Sequence, residues 1–341
     1  MKIKNVRFNV KLILCLFLLA ASAQAQNDTL KVLFIGNSHT YYNNLPGMFE
    51  LLAQSGGHPV MADSNTPGGY ALEGHRNNAI TLAKIAQGGW DYVVLQEQSL
   101  YPVIDFYRYG SMYPSAVYLD SLIRAHGGHT ALYMTWGWRG GGQHDLNGHY
   151  SVPFVDYFQM QDTLTAAYVM LNNMLSSTIL PAGCAWARAM RAQTTLDLWQ
   201  PDNYHPKLEG SYIAACVFYA IFFHQSPVGL SYTAGLQPES ALFFQQMADQ
   251  TVNINEPEYV PSSYQLLQNY PNPFNAATTL RLSSPIDAEI GIYDIAGRRV
   301  AMLHAKDGNA VWDASSYSSG IYFARAQSGV KGQSIKLVLL K

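Results

Sequence analysis

A serine lies in the segment Gly36-Asn37-Ser38-His39-Thr40, which follows the first apolar run after residue 28. That run, residues 30–35, is typical of a buried parallel strand. Such folds place their sites at the carboxyl edge of the sheet, so Ser38 should lie there, at the amino end of the next helix. Backbone N–H groups at that end can stabilise an oxyanion. Because serine alone is a poor nucleophile, a base must come from elsewhere in the chain.

The candidate base lies far along the chain, in Asp202-Asn203-Tyr204-His205-Pro206. The D-x-x-H spacing lets the Asp202 carboxylate fold back onto one imidazole nitrogen of His205, which leaves the other nitrogen to face a nucleophile. Pro206 suits the first position of a helix. The alternative is that Asp202 only caps that helix and His205 has no catalytic role.

Two more polar segments follow predicted strands at the same edge. In Thr66-Pro67-Gly68-Gly69-Tyr70 a glycine N–H could face an oxyanion. In Gln96-Glu97-Gln98-Ser99 an amide side chain could donate a further hydrogen bond. Caps and turns also use such residues, but the convergence of four segments on one edge favours nucleophilic catalysis.

From residue 29 to about residue 251, runs of strand length alternate with stretches of helical period. The predicted strands are residues 30–35, 58–62, 91–96, 130–135 and 178–182. The predicted helices are residues 44–54, 77–87, 111–126, 155–176, 207–224 and 239–252. This alternation predicts a parallel sheet covered on both faces, a three-layer α/β domain.

The pattern changes after residue 252. Residues 253–263 contain two prolines and no apolar period, which predicts a linker. Short runs with a period of two then alternate with turn residues, so residues 264–341 are predicted to form a small β-sandwich. Tyr270, Phe274 and Trp312 could instead mark a carbohydrate-binding module, although core or turn positions suit them better.

Residues 1–25 have the pattern of a secretory signal peptide. They combine a basic start, an apolar run over residues 12–21 and the small-x-small sequence Ala23-Gln24-Ala25. The apolar run is shorter than the ~20 residues that a spanning helix needs. No later apolar run reaches ~18 residues, so the mature chain is expected to contain no transmembrane helix. The α/β domain is accordingly assigned to residues 26–252.

The composition excludes two classes of protein. Of the 341 residues 13% are charged and 48% are hydrophobic, with a net charge of −2. The apolar content excludes a disordered chain, and the lack of a basic excess argues against a nucleic-acid partner. The few charges favour an exported protein with a neutral ligand. In such a protein Cys184 and Cys216 could form a disulfide or remain buried thiols.

Other clusters are weaker candidates for chemistry. The pairs His126/His129 and His144/His149 could suggest a metal. The first pair straddles a turn into a strand, and the second lies in a glycine-rich loop that no ligand-bearing helix organises, so no metal site is expected. Trp136, Trp138 and Arg139 follow the fourth strand. They could form a sugar-stacking or acyl-pocket wall, or simply pack beneath a long loop.

With these motifs, residues 28–252 resemble the SGNH/GDSL-type hydrolases, which have a flavodoxin-like three-layer α/β/α fold. The resemblance implies Ser38 as nucleophile, His205 as general base and Asp202 as the group that orients it. It further implies an oxyanion hole made by the N–H groups of Ser38 and Gly69 and the amide of Gln98, with no metal or cofactor. Gly68 and Gln96 are the alternatives for the last two positions. The chain departs from the family in having Asn where many members have Asp, and Gln-Glu-Gln-Ser in place of Gly-x-Asn-Asp.

The C-terminal part resembles the sorting domain of type IX secretion cargo, an Ig-like sandwich. The resemblance rests on residues 266–275, 294–298, 319–322 and 336–341. It implies the type IX machinery as a partner and passage across the periplasm and outer membrane of a gram-negative bacterium. The protein would then be released or attached to the cell surface.

Together these features predict a secreted serine esterase. Its substrates would carry acetyl or other short acyl groups, on carbohydrate or on small neutral molecules. One alternative is a non-catalytic flavodoxin-like protein whose loop at residues 36–40 binds a phosphate; it leaves Asp202 and His205 without a role. The other is a glycan-binding surface protein.

Overall fold

The computed structural model describes residues 29–252, 266–282, 287–326 and 334–341. The predicted signal peptide, residues 1–25, and the predicted linker, residues 253–263, lie outside the described residues. Within the described part, no helix combines the length and apolar character needed to cross a membrane.

The N-terminal region contains a five-stranded parallel sheet with the strand order β2-β1-β3-β4-β7. Its strands are β1 Leu30–Ile35, β2 Val60–Asn65, β3 Tyr92–Leu95, β4 His129–Tyr133 and β7 Thr178–Leu180. The chain reverses its direction of progress across the sheet between β1 and β3. In open parallel sheets, ligands typically bind at the carboxyl ends of the two strands between which the direction reverses.

Helices cover both faces of this sheet. They are α1 Ser38–Tyr41, α2 Leu45–Ser55, α3 Leu72–His75, α4 Ala79–Gln87, α5 Asp105–Tyr107, α6 Tyr113–Ala125, α7 Tyr157–Leu175, α8 Ala182–Ala192, α9 Leu208–Phe223 and α10 Pro238–Val252. Alternate residues of β1 enter different cores. Val32 and Phe34 pack with α2, α8, α9 and α10, while Leu33 and Ile35 pack with α3, α4, α6 and α7. A strand buried on both faces must be apolar throughout, which is why residues 32–35 form an unbroken apolar run.

The predicted fold class is confirmed, but the short helices α3 and α5, helix α8 and a hairpin were not predicted. In helix α8, Gly183 packs so closely against the Thr135 carbonyl oxygen that a Cβ would not fit there. A hairpin of β5 Asp145–Leu146 and β6 His149–Tyr150 lies within the glycine-rich loop. Cys184 and Cys216 are free thiols, and burial raises the pKa of both.

The C-terminal region consists of antiparallel strands in two sheets, with the orders β11-β10-β13-β14 and β12-β9-β8. Its strands are β8 Leu266–Tyr270, β9 Ala277–Leu282, β10 Ala288–Tyr293, β11 Arg299–Ala305, β12 Asn309–Asp313, β13 Gly320–Ala326 and β14 Ser334–Leu339. Both sheets contribute to one core around Trp312, Leu280 and Leu337, so the region is a β-sandwich. Phe274 and Trp312 are core residues, whereas Tyr270 is 81% exposed.

Candidate active site

The structure brings Ser38, His205 and Asp202 into one hydrogen-bonded line. The Nε2 atom of His205 lies 2.8 Å from the Ser38 hydroxyl oxygen. Its Nδ1 atom lies 2.7 Å from Asp202 Oδ2. A carboxylate can only accept here, so Nδ1 carries the proton and Nε2 is left to accept from the hydroxyl. Ser38 and His205 are both buried, being 7% and 8% exposed.

The Asp202 carboxylate folds back onto its own loop, as the D-x-x-H spacing predicts. Its Oδ1 atom accepts from the backbone N–H groups of Tyr204, at 3.1 Å, and His205, at 3.0 Å. Burial raises the pKa of Asp202. The hydrogen bonds from the His205 ring and from these two N–H groups lower the pKa by more than burial raises it, so the net pKa is below the ordinary value. Asp202 therefore stays ionised and holds the imidazole orientation.

The turn that carries Ser38 is fixed from strand β3. Asn37 caps α1, since its Oδ1 atom accepts from the His39 N–H at 3.1 Å. Its own N–H donates to Gln96 Oε1 at 2.9 Å. A Cβ at Gly36 would lie 2.5 Å from that same oxygen, so only glycine lets the two segments approach so closely.

Gln96 and Gln98 have different surroundings. Gln96 is fully buried; its Oε1 also accepts from the Thr40 hydroxyl, and its Nε2 donates to Asn37 Oδ1 at 3.0 Å and to the Glu97 carbonyl oxygen. Both N–H bonds of that amide are thus in use. Gln98 is half-buried and its Oε1 accepts from the Leu100 N–H at 2.6 Å. Its Nε2 makes no hydrogen bond to the residues that the structure describes, so Gln98 retains donors for a ligand.

The glycine-containing loop after β2 is tied to the turn that carries Ser38. Asn37 Nδ2 donates to the Tyr70 carbonyl oxygen at 2.7 Å, and the Leu72 N–H donates to Glu97 Oε1 at 3.0 Å. Gly69 lies between β2 and these anchors with φ +72°, a backbone conformation that favours glycine. Gly68 instead lies beside Tyr41, and a Cβ there would be 3.4 Å from the tyrosine hydroxyl oxygen.

Aromatic rings surround the histidine. Tyr42 stacks on the His205 ring with centroids 4.2 Å apart and planes 10° apart. Tyr204, which also contacts the His205 ring, stacks on Trp138 with ring centroids 4.9 Å apart and planes 18° apart. The Trp138 Nε1–H donates to the Ser99 hydroxyl at 3.2 Å. Trp138 therefore links the loop that carries His205 to the loop that carries Gln98.

The other side chains near the site that the sequence singled out are packed or paired within the protein. Trp136 is buried and stacks on Trp186 at 3.9 Å, and Arg139 pairs with Asp197 at 3.3 Å. His39 is buried beside Trp136 and His205. Burial lowers the pKa of His39 to about 3, so its ring is uncharged and packs beside the His205 ring. Among the described residues, no cluster of three or more His, Cys, Asp and Glu side chains could hold a metal ion.

Glu97 is a residue whose function the sequence did not indicate. Its carboxyl accepts hydrogen bonds from N–H groups in two of the site's segments. Its position between two glutamines is the only sequence signal, and that pattern does not reveal burial.

Residues 268–340 match the model of the secretion system C-terminal sorting domain. The chain carries a secretion sorting domain. This domain indicates secretion through the type IX system. A comparison of the sequence with curated proteins found no match.

Several solved structures are similar to the N-terminal region. A DUF4886 family protein from Bacteroides uniformis is 22% identical with a TM-score of 0.54, over 66% of this chain and 95% of that one. A protein proposed to be an SGNH hydrolase from Slackia heliotrinireducens is 25% identical with a TM-score of 0.46, over 57% and 100%. The esterase EstA from Pseudoalteromonas sp. is 12% identical with a TM-score of 0.42, over 57% and 97%. The first likeness shows a shared fold, and SGNH and GDSL hydrolases are among the structural neighbours.

Proposed function

We propose that the protein is a secreted serine esterase that removes short acyl groups from neutral substrates. The observation that carries the proposal is the line of hydrogen bonds from Asp202 through His205 to Ser38. In this line the base and the hydroxyl have the separation, 2.8 Å, that proton transfer requires.

The proposed reaction has two halves. In the first, Ser38 Oγ attacks the ester carbonyl carbon while His205 Nε2 takes the hydroxyl proton, and the carbonyl oxygen becomes an oxyanion. The tetrahedral intermediate collapses, the C–O bond breaks, and His205 returns the proton to the departing alcohol. In the second half, water attacks the acyl-enzyme, gives its proton to His205 and releases the acid, and His205 hands the proton back to Ser38.

Three groups are proposed to bind the oxyanion. The Ser38 N–H, at the first position of α1, has no acceptor within its helix. The Gly69 N–H lies in the loop that Asn37 and Glu97 anchor, and Gln98 Nε2 has no other partner among the described residues. Removal of one such donor typically costs ~10²–10³ in rate.

The surroundings of His205 support a neutral, short-chain substrate, with acetylated carbohydrate as the leading class. Tyr42, Tyr204 and Trp138 present aromatic surfaces near the base, and sugars stack well on such rings. Trp138 contacts two loops of the site, and we expect its indole to limit the length of the acyl chain. The charged neighbour Arg139 is already paired with Asp197.

A phosphate-binding function fits the same loop less well. The N–H groups of Asn37, His39 and Thr40 donate to Gln96, Asn37 Oδ1 and the Asn37 carbonyl oxygen. A phosphate needs several free N–H groups at a helix N-terminus, and these three are occupied. The loop instead leaves the Ser38 N–H for a single oxygen.

Hydrolysis of p-nitrophenyl acetate by the full chain tests the proposal. Ser38→Ala and His205→Ala should each lower kcat by about 10⁴-fold or more. Ser121→Ala and His126→Ala are matched controls on the exposed end of α6, and both should keep the wild-type rate. Equal rates in the wild type and Ser38→Ala would exclude Ser38 as nucleophile. Tight glycan binding without turnover of any short ester would favour a binding protein.

A further inference from the structure

One carboxyl group joins the two segments that carry the proposed side-chain and glycine donors. The Glu97 side chain is buried, and its Oε1 atom accepts from the Leu72 N–H at 3.0 Å and the Gln98 N–H at 2.7 Å. Leu72 begins α3, directly after the loop that contains Gly69. Oε1 of Glu97 is therefore a common acceptor for both segments.

The network closes on the nucleophile. Gln96 donates to the Glu97 carbonyl oxygen and to Asn37 Oδ1, and Asn37 donates to the Tyr70 carbonyl oxygen. Ser38, the Gly69 loop and Gln98 are thus held to one another by buried and partly buried hydrogen bonds. Buried networks of this kind fix geometry more strongly than exposed ones.

The second carboxyl oxygen of Glu97 is in an unusual position. Oε2 is buried and makes no hydrogen bond to the residues that the structure describes. Burial raises the pKa of Glu97 to about 8, against the opposing effect of the N–H groups of Gln98 and Leu72. Among the described residues, the titratable groups that face Glu97 are Glu73 on α3, Tyr101 in the 3-10 turn Tyr101–Val103 and Tyr168 on α7. All three are acids. Glu97 is therefore neutral at pH 7 and becomes charged in mild alkali.

We propose that Glu97 is a positioning residue that sets the spacing of the Gly69 and Gln98 donors and disables them when its carboxyl becomes charged. The inference rests on the proposed esterase function. A neutral carboxyl accepts both N–H groups without adding charge. An ionised carboxylate beside Gln98 opposes the negative charge that develops on the substrate oxygen, in a region that water does not screen.

The test is the pH dependence of kcat for p-nitrophenyl acetate, measured with the full chain and corrected for spontaneous hydrolysis. Wild-type kcat should fall about tenfold with a midpoint near pH 8. Glu97→Gln keeps the acceptor oxygen and cannot ionise, so it should keep kcat within a few-fold at pH 7 and lose the alkaline decline. Glu97→Ala should lower kcat about 10²-fold at pH 7 with KM little changed.

An alkaline decline of the same size and midpoint in Glu97→Gln would overturn the inference, as would a wild-type kcat in Glu97→Ala. Glu73→Gln gives an independent reading, because the charge of Glu73 raises the pKa of Glu97. That variant should move the decline to lower pH, and an unmoved decline contradicts the role of Glu97. If Ser38→Ala matches the wild type, the esterase function itself fails. An activity that depends on Ser38 but ignores Glu97 overturns only this inference.

Discussion

The two halves of the candidate site are built in different ways. The half that handles the proton, Asp202 and His205, lies within one short loop whose contacts span three residues. The half that would hold the oxyanion combines segments after β1, β2 and β3, joined by Asn37, Gln96 and Glu97 across dozens of residues. A local motif can be read from spacing, whereas a distributed network depends on how the whole sheet folds. The two halves should therefore respond differently to substitution.

The largest effect is expected in the local half. Asp202→Asn places an amide opposite His205 Nδ1, and the amide can donate to that nitrogen. The ring then carries its proton on Nε2 and cannot accept from Ser38, so kcat should fall by about 10⁴-fold with KM little changed. Asp197→Asn is the matched control, because Asp197 pairs with Lys207 and Arg139 and does not touch His205. Comparable losses in both variants would contradict a special role for Asp202.

The two glutamines separate donation from support in the distributed half. Gln98→Ala should lower kcat ~10²–10³-fold with little change in the unfolding midpoint, since its side chain makes one hydrogen bond to the described residues. Gln96→Ala should lower both, because it leaves the Asn37 N–H and the Thr40 hydroxyl buried without their acceptor. Each unsatisfied group costs about 1–3 kcal/mol. Urea unfolding curves and kcat, measured on both variants, distinguish a donor from a supporting residue. A Gln96→Ala variant that keeps its stability but loses activity would indicate that Gln96 is the donor instead.

A smaller effect is expected where the halves meet. Trp138 touches Tyr204 on one side and Ser99 on the other. Removing the indole should open space for longer acyl chains, so Trp138→Ala should raise the rate on butyrate relative to acetate by about tenfold. Tyr150→Ala is the control, because Tyr150 is an exposed aromatic residue of the neighbouring hairpin. An unchanged preference would exclude Trp138 from the acyl pocket.

The same contrast explains what the sequence could predict. The fold class followed from apolar runs such as residues 32–35, which must be buried on both faces, and from the change to a period of two after residue 264. The sequence also named Ser38, His205 and Asp202, which the structure brings together. It could not separate Gln96 from Gln98, because spacing does not reveal which amide is already saturated. The burial of Glu97 could not be predicted either, because an acidic residue between polar neighbours gives no sign of burial.

His39 offers the smallest prediction and joins the two halves. Its backbone N–H belongs to the Asn37 cap, while its ring packs on His205 and Trp136. Burial lowers the pKa of His39 to about 3 from an ordinary 6.5. Between these two pKa values the unfolded chain binds a proton that the folded chain excludes. The contribution of neutral His39 to the free energy of unfolding is therefore complete above pH 6.5 and is lost as the pH falls toward 3.

His39→Gln removes this titration. The wild type should lose stability on acidification more steeply than the variant, by up to ~1.4 kcal/mol per pH unit within that window. Urea midpoints at pH 7 and pH 5 measure the difference, and the exposed His126→Gln is the control. Glu97 acts with the opposite sign, since its raised pKa weakens the fold as pH rises from 4.5 to about 8. The contribution of Glu97 is present in both proteins and cancels in the comparison. Equal slopes of stability against pH in the wild type and His39→Gln would mean that His39 accepts a proton in the folded protein, and that its ring is not tightly packed against the loop of His205.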